Sequence, residues 1–203
     1  MGDAGRGEVT VWLERWRQGD REAVDHLVPL LYDELREAAR RQIRKELSPH
    51  TLGATALVHE VYLRLLGQRR LEAADRNSFL AIAATTMRRV LVDYARRRRR
   101  LKRGGQSVVV SLDDDPEGLL LSEVEIDEVL GLSRALDRLA VEDERAATIV
   151  EYRFFAGLTL EETAALLQLS ERTVHRTWTF ARAWLRKEIA GLSDIPFESR
   201  DPE

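Results

Sequence analysis

The chain has 203 residues, of which 44% are hydrophobic and 33% are charged, so it can form one large or two small domains with real cores. It contains no cysteine, which excludes disulfides, zinc–thiolate sites and cysteine nucleophiles and fits a reducing compartment. The first nine residues contain no apolar signal core, and no hydrophobic run is long enough to span a membrane. We therefore expect a soluble, cytoplasmic protein.

The net charge of −3 conceals a strong asymmetry along the chain. Residues 1–110 carry 22 Lys and Arg against 14 Asp and Glu, a net charge of +8. Residues 111–150 have a net charge of −9, and residues 151–203 have a net charge of −2. Because local patches set the field that a polyanion meets, the small total charge does not exclude a nucleic-acid partner.

Helical periodicity runs through nearly the whole sequence, beginning with a short amphipathic helix over 9–17. Gly19 and Asp20 break this helix, and Asp20 can cap a second one that we expect to extend to about Leu47. Pro29 lies inside the second helix and predicts a kink or a new start. Further helices are predicted over roughly 52–66 and, as the fourth in the chain, over roughly 78–100.

The fourth helix is the first candidate functional element. Its predicted buried stripe consists of Phe79, Ile82, Ala83, Thr86, Met87, Val90, Leu91 and Tyr94. Its predicted charged face consists of Arg89, Asp93, Arg96, Arg97 and Arg100. Five successive arginines, 96–100, repel one another, and phosphates would neutralise them with release of counterions. A solvated helix end, a nuclear-type targeting run and an acidic protein partner are the alternatives.

The predicted fold class is all-α, with two small helical domains joined by a flexible linker and a helix–turn–helix in the C-terminal domain. The segments in chain order are 8–104 for the first domain, 105–121 for an acidic linker, 122–191 for the second domain and 192–203 for a disordered tail. Val108–Val110 could form a short strand, but the sequence offers it no partner. We hypothesise that Asp113–Asp115 imitates nucleic acid and discourages DNA binding by the free chain.

The second candidate functional element is the stretch Thr159–Leu185, which is typical of a DNA-reading helix–turn–helix. Thr159 and Glu162 have the spacing of a capping box, and Ser170 can cap the second helix. Ala164 stands where the second helix must cross closely. The residues expected in the local core are Leu166, Leu167 and Leu169.

The second helix of this stretch separates its residues by face. A predicted apolar stripe consists of Val174, Trp178, Ala181 and Leu185. Arg172, Arg176 and Thr179 fall on the opposite side, as a recognition helix in the major groove requires. An ordinary amphipathic hairpin with a solvated basic face is the alternative.

Together these segments resemble a bacterial RNA polymerase sigma factor of the extracytoplasmic-function (ECF) type, from about Val9 to Ile189. The stretch Thr55–Leu66, TALVHEVYLRLL, looks like the family's helix for binding core polymerase, usually written D-L-V-Q-E-x-F-L-R. The stretch Phe79–Arg97 resembles the helix that melts and reads the −10 promoter element. The stretch Phe154–Leu185 resembles the domain that reads the −35 element. The combination in this order is specific, whereas no one piece would suffice.

The resemblance implies three sets of contact residues. Those facing the −10 element are Arg88, Arg89, Asp93, Arg96, Arg97 and Arg100. Those facing the −35 element are Arg172, Thr173, His175, Arg176 and Thr179. Those at the surface that grips the polymerase clamp helices are Leu57, Glu60, Val61 and Arg64. Plain core packing is the alternative for Leu57 and Val61, and a phosphate contact or a plain surface position is expected for His175.

The chain departs from the family pattern at four positions. Ala56 stands in place of the usual acidic residue, and His59 in place of the usual glutamine. Arg89 replaces an asparagine that commonly helps to capture a flipped −10 base, so base selection there is expected to differ. Gln168 occupies a turn position often held by glycine; since a non-glycine residue with a positive φ carries strain, this turn is expected to take another conformation.

The sequence predicts no catalytic, cofactor or metal site, since it has no Ser/His/Asp set, Walker loop, GxGxxG or HExxH motif. The resemblance implies core RNA polymerase and promoter DNA as partners, an anti-sigma factor as a further candidate, and a monomer when free. Two other interpretations remain. A stand-alone helix–turn–helix regulator would need a dimer interface or a sensor domain, which residues 1–110 do not resemble. A helical adaptor would use its basic face to meet an acidic protein.

Overall fold

The computed structural model describes residues 3–43, 51–67, 73–103, 121 and 123–189. Within these ranges the chain forms helices and no strand, which confirms the predicted all-α class. The helices are α1 Asp3–Arg17, α2 Ala23–Leu30, α3 Tyr32–Gln42, α4 Thr51–Leu66, α5 Arg76–Arg103, α6 Glu123–Glu142, α7 Glu144–Val150, α8 Leu160–Leu167 and α9 Glu171–Ile189. A π-helical segment, Glu151–Ala156, directly follows α7.

The described residues divide into two compact units. Unit 1 contains those up to Val90 and unit 2 contains those from Leu91 onward, so α5 contributes to both. Apart from Leu121, the predicted acidic linker lies outside the described residues, together with its aspartates and the suggested strand. The predicted disordered tail also lies outside them.

Unit 1 is built around a core contributed by α1 to α5. Its largest fully buried side chains are Leu13, Trp16, Leu27, Leu31, Leu35, Leu57, Leu65, Phe79 and Met87. The Trp16 and Phe79 ring centroids lie 6.4 Å apart at an interplanar angle of 56°, a common arrangement for aromatic pairs. Burial of a side chain of this size contributes roughly 1.5–3 kcal/mol relative to exposure. Packing, more than intrinsic propensity, therefore stabilises the short helices α2 and α3.

The turn between α1 and α2 depends on a glycine. Gly19 has a φ of 99°, in the left-handed region that a glycine adopts without a side-chain clash, so the break predicted there is confirmed. The Asp20 carboxylate accepts a hydrogen bond from the Glu22 N–H at 3.0 Å and pairs with Arg15 at 2.7 Å. Glu22 holds the N-cap position of α2. Asp20 therefore forms a turn before the helix, and its predicted role as the cap residue is wrong.

Pro29 separates α2 from α3. It lies in the last turn of α2, where it has no N–H to donate to the Asp25 carbonyl, and a new helix starts at Tyr32. The predicted new start is confirmed. The predicted extension to about Leu47 is wrong, because α3 ends at Gln42 and the Ile43 backbone is extended, with φ −99° and ψ 94°.

A side-chain cap fixes the start of α5. The Asp75 carboxylate accepts a hydrogen bond from the Ser78 N–H at 2.8 Å, and the Ser78 hydroxyl contacts the same carboxylate at 2.7 Å. Arg76, the first residue of α5, pairs with Glu34 of α3 at 3.2 Å. These contacts hold the N-terminal part of α5 against unit 1.

Unit 2 contains α6 to α9, the π-helical segment and the last part of α5. Its core includes Leu136, Leu139, Ile149, Val150, Phe155, Val174 and Leu185. Asp143 caps α7 by accepting a hydrogen bond from the Ala146 N–H at 2.9 Å. Helix α9 packs against α6, α7 and α8. Three neighbours thus determine which face of α9 remains outside.

Candidate nucleic-acid interface

The predicted capping box at the start of α8 is present. The Glu162 N–H donates to the Thr159 hydroxyl at 3.1 Å, and the Thr159 N–H donates to the Glu162 carboxylate at 2.8 Å. Both contacts satisfy N–H groups that lack partners within the helix. The start of α8 is therefore set by side chains that the sequence identifies.

The turn after α8 adopts a left-handed conformation at Gln168, with φ 55° and ψ 42°. The expectation of another turn conformation is therefore wrong, because Gln168 adopts the left-handed backbone that glycine usually supplies. The Leu169 N–H donates to the Ala164 carbonyl at 2.9 Å, and the Gln168 N–H donates to the Ala165 carbonyl at 3.2 Å. These bonds satisfy carbonyls at the end of α8 and offset the unfavourable backbone of a residue with a Cβ.

The local core of α8 differs from the predicted one. The expected core residues Leu166, Leu167 and Leu169 are only half-buried. Thr163 and Ala164 are instead buried, at 0% and 5% exposure. The face that α8 turns toward the rest of unit 2 carries these two small residues, so the leucines lie at its edge.

The predicted apolar stripe of α9 is confirmed, because Val174, Trp178, Ala181 and Leu185 are all buried. Two guanidinium carbons lie 5.7 Å from the Trp178 ring centroid, those of Arg153 and Arg182. Arg153 also donates to the Leu158 carbonyl at 2.7 Å. Sequence analysis missed the contact between Arg153 and the Trp178 ring, because the two residues lie far apart along the chain and no helical spacing connects them.

The outer face of α9 carries four of the residues predicted to face the −35 element. Arg172, His175, Arg176 and Thr179 are all exposed. Arg172 and Arg176 stand one turn apart, and neither forms an ion pair with any residue that the structure describes. Their guanidinium groups are therefore available to acceptors on guanine or phosphate.

Two threonines near this face already make internal contacts. The Thr179 hydroxyl donates to the His175 carbonyl at 2.9 Å, which leaves its oxygen lone pairs and its methyl group for an outside contact. Thr173 is half-buried; its N–H donates to the Ser170 hydroxyl at 3.2 Å, and the two hydroxyls lie 2.8 Å apart. The cap predicted at Ser170 is thus confirmed, and Thr173 belongs to it.

The predicted charged face of α5 is also on the outside. Its five members, Arg89, Asp93, Arg96, Arg97 and Arg100, are exposed. Arg88, also predicted to face the −10 element, is half-buried, because the helical repeat rotates it by about 100° from Arg89. On the opposite side the predicted stripe is buried, except that Ile82 is half-exposed.

The four residues of α4 that are predicted to contact the polymerase differ in their exposure. Leu57 and Val61 are buried in unit 1, at 0% and 1% exposure, so the structure places them in the core. Glu60 and Arg64 are half-exposed and form an ion pair of 3.2 Å, one turn apart. Sequence analysis missed Leu63, whose side chain on the outer face is 48% exposed.

Within the described ranges, no group of three or more His, Asp and Glu side chains is placed to hold a metal ion. None of the helices described is both long and apolar enough to cross a membrane. Most of the predicted contact groups on the outer faces of α5 and α9 are guanidiniums, accompanied by the Asp93 carboxylate, the His175 imidazole and the Thr179 hydroxyl. Such groups bind phosphates and base edges.

A family model described as ECF sigma factor matches residues 6–191. The matched range includes α4, the charged face of α5 and the outer face of α9. The chain belongs to the ECF sigma factor family. Members of this family act with RNA polymerase in transcription initiation and bind DNA, so the chain has a sigma-factor role. A search of curated proteins gives no match.

Proposed function

We propose that this chain binds core RNA polymerase and directs promoter-specific initiation by recognising the −10 and −35 elements. The supporting observation is the outer face of α9, where two exposed arginines without ion-pair partners among the described residues lie opposite a buried apolar stripe. In a family that acts in transcription initiation, such a face fits promoter DNA. The polymerase performs the chemistry, and the chain supplies recognition.

The −35 element is assigned to residues 122–191, with α8 and α9 acting as a helix–turn–helix. In such pairs the N-terminal residues of the second helix meet the base edges. Arg172 and Arg176 occupy the first two turns of α9 and would bond to guanine or phosphate. Thr179 would offer its methyl group to a thymine methyl.

The −10 element is assigned to residues 8–104, through the charged face of α5. Five exposed side chains there span three turns, and four of them are cations. A melted strand exposes both phosphates and unstacked bases, and arginine interacts with both. Arg88 would support this face from its half-buried edge.

The polymerase contact is assigned to the outer face of α4. Glu60 and Arg64 offer charged groups, and the exposed Leu63 offers an apolar contact beside them. Leu57 and Val61 would act indirectly, because they pack α4 against the rest of unit 1 and so fix the position of its outer face. The free chain would be a monomer, and an anti-sigma factor is a further proposed partner.

Runoff transcription with core polymerase on a genomic DNA library tests the proposal. We expect the chain to copurify with core polymerase and to select a set of start sites that share −10 and −35 sequences. The double variant Arg172→Ala, Arg176→Ala should lose that selection, while the control Arg145→Ala, exposed on α7, should keep it. DNA binding without any affinity for the polymerase would instead indicate a stand-alone regulator and contradict the proposal.

A further inference from the structure

A basic pocket opens in unit 2 between the end of α5 and α6. Its volume is about 300 Å³, and its lining residues are Arg96, Arg99, Arg100, Leu130, Ser133 and Arg134. All six residues belong to unit 2. The volume is at the lower end of the range for small-molecule sites, which suits a compact ligand.

Four arginines make the wall of this pocket strongly positive. Arg96, Arg99 and Arg100 are three and four residues apart, so they project from one side of α5, and Arg134 comes from α6. Asp127 neutralises little of this charge. Its carboxylate lies 4.0 Å from the Arg99 guanidinium, and side-chain exposures of 65% and 41% leave the pair screened by solvent. The other three arginines form no ion pair with the residues that the structure describes.

The floor of the pocket is more deeply buried than its rim. Leu130 is 7% exposed and Ser133 is 5% exposed, and Ser133 adds a hydroxyl. Near such a floor the effective dielectric constant is lower than in water, so an ion pair is stronger there. Like charges around one cavity repel each other, and an anion that touches several of them removes that repulsion.

Guanidinium chemistry indicates which anion fits. Each arginine presents a planar fork of donors that matches two phosphate oxygens, and it stays charged at every physiological pH. A single phosphate has too few oxygens to bind four guanidinium groups well, whereas two linked phosphates on one small molecule offer more oxygens and more charge. Arg99 and Arg134 also lie outside the set of residues assigned to the −10 element.

We propose that this pocket binds a compact polyphosphate anion, with two or more linked phosphates, and that occupancy withdraws Arg96 and Arg100 from DNA. The second half of this inference rests on the proposed function, because both arginines are assigned there to the −10 element. The ligand could be inorganic pyrophosphate or the diphosphate group of a nucleotide. The shared chemistry is the linked phosphate pair.

Calorimetric titration of the full chain with sodium pyrophosphate tests the site. We expect saturable one-to-one binding that orthophosphate and sulfate do not match at equal ionic strength. Arg134→Gln should weaken it roughly 10- to 100-fold, since one charge-assisted contact is lost. The matched control Arg145→Gln, an exposed arginine of α7, should bind normally. Arg99→Gln is a second test variant, and a thermal melt of each variant checks its folding.

Three results would overturn the site: no saturable binding of pyrophosphate, equally tight binding of sulfate, or an equal loss in Arg145→Gln. A parallel titration with a nucleoside diphosphate distinguishes the sources. Tighter binding than pyrophosphate supports a nucleotide ligand, and equal binding supports recognition of the phosphates alone.

Competition with DNA tests the second half of the inference. Pyrophosphate should displace a single-stranded −10 oligonucleotide, taken from the runoff start sites, from the wild-type chain. With Arg134→Gln, displacement should need a pyrophosphate concentration roughly 10- to 100-fold higher. Equal displacement from the wild-type chain and from Arg134→Gln would contradict the proposed competition between pyrophosphate and DNA. Normal pyrophosphate binding without any transcription would contradict the proposed function, and with it the competition with DNA, but not the pocket as a binding site. Transcription without pyrophosphate binding would contradict only this inference.

Discussion

Arg172 and Arg176 stand on the outer face of α9 because Val174 and Trp178 hold the opposite face inside unit 2. The two arginines differ from Thr173, whose hydroxyl lies beside Ser170 in the helix cap. A base contact by Thr173 would first have to disturb that cap. The two arginines are therefore the stronger candidates for reading sequence.

Replacement of Arg176 by alanine should reduce discrimination among −35 sequences by about 1–3 kcal/mol, the usual contribution of a good bidentate base contact. Competition between promoters in runoff transcription measures this change. Arg145→Ala, on the surface of α7, is the control. An equal loss on every promoter would show that Arg176 contacts only phosphate.

Among the residues that the structure describes, Gln168 is the one non-glycine residue with a positive φ. Gln168→Gly should raise the free energy of unfolding by about 1 kcal/mol, because glycine adopts this conformation without a clash of its Cβ. Denaturant unfolding followed by circular dichroism measures the change. Gln18→Gly, in the turn after α1, should not stabilise the chain, and stabilisation by both variants would argue against backbone strain at Gln168.

At the scale of whole elements, α8 and α9 show what the sequence could predict. The capping box at Thr159 and the buried stripe through Trp178 depend on local spacing, which the sequence displays directly. The burial of Thr163, in place of the leucines that follow it, depends on which helices pack together. The π-helical segment Glu151–Ala156 has no residue pattern of its own, so the sequence could not predict it. The contact that Arg153, within this segment, makes with Trp178 could not be predicted either.

Trp178 joins α9 to the rest of unit 2. Trp178→Ala should lower the free energy of unfolding by about 3–5 kcal/mol, because it leaves a cavity and removes the ring that Arg153 and Arg182 both contact. Thermal or denaturant unfolding measures this loss. Phe180→Ala, two residues on and 49% exposed, is the matched aromatic control, with an expected change within about 0.5 kcal/mol. Equal effects would show that Trp178 packs no better than a surface ring.

Helix α4 offers a test of the polymerase contact that does not disturb the core. Leu63→Glu places a charge on the outer face, and it should weaken binding to core polymerase at least tenfold without changing the melting temperature. Pull-down at graded concentrations measures the affinity. Val141→Glu, at a position of α6 that is 88% exposed, is the control. Unchanged affinity for Leu63→Glu would place the contact elsewhere.

At the scale of the whole molecule, charge distribution matters more than net charge. The chain is acidic overall at −3, yet its first 110 residues carry +8. Since phosphate contacts release counterions, the affinity for DNA should fall steeply with salt. The cations that make these contacts can be counted from the slope.

The double variant Arg96→Ala, Arg97→Ala should reduce the slope of log affinity against log salt by about 1.4, at about 0.7 for each contact with a single strand. Titration of a labelled −10 strand at several salt concentrations, with the holoenzyme, measures it. Arg98 is exposed but lies about 160° around α5 from Arg96 and outside the residues assigned to the −10 element, so Arg98→Ala should leave the slope nearly unchanged. A similar reduction for Arg98→Ala would mean that the arginine run acts as a diffuse charge.

Because α5 contributes to both compact units, the boundary between them falls inside a continuous helix. Val90 and Leu91 are each only 2% exposed there, so a protease has no accessible bond at that point. A fragment excised at Val90 would lose the apolar partners Leu91 and Tyr94 from its own stripe. An N-terminal fragment that keeps the whole buried stripe of α5 must therefore extend at least through Tyr94.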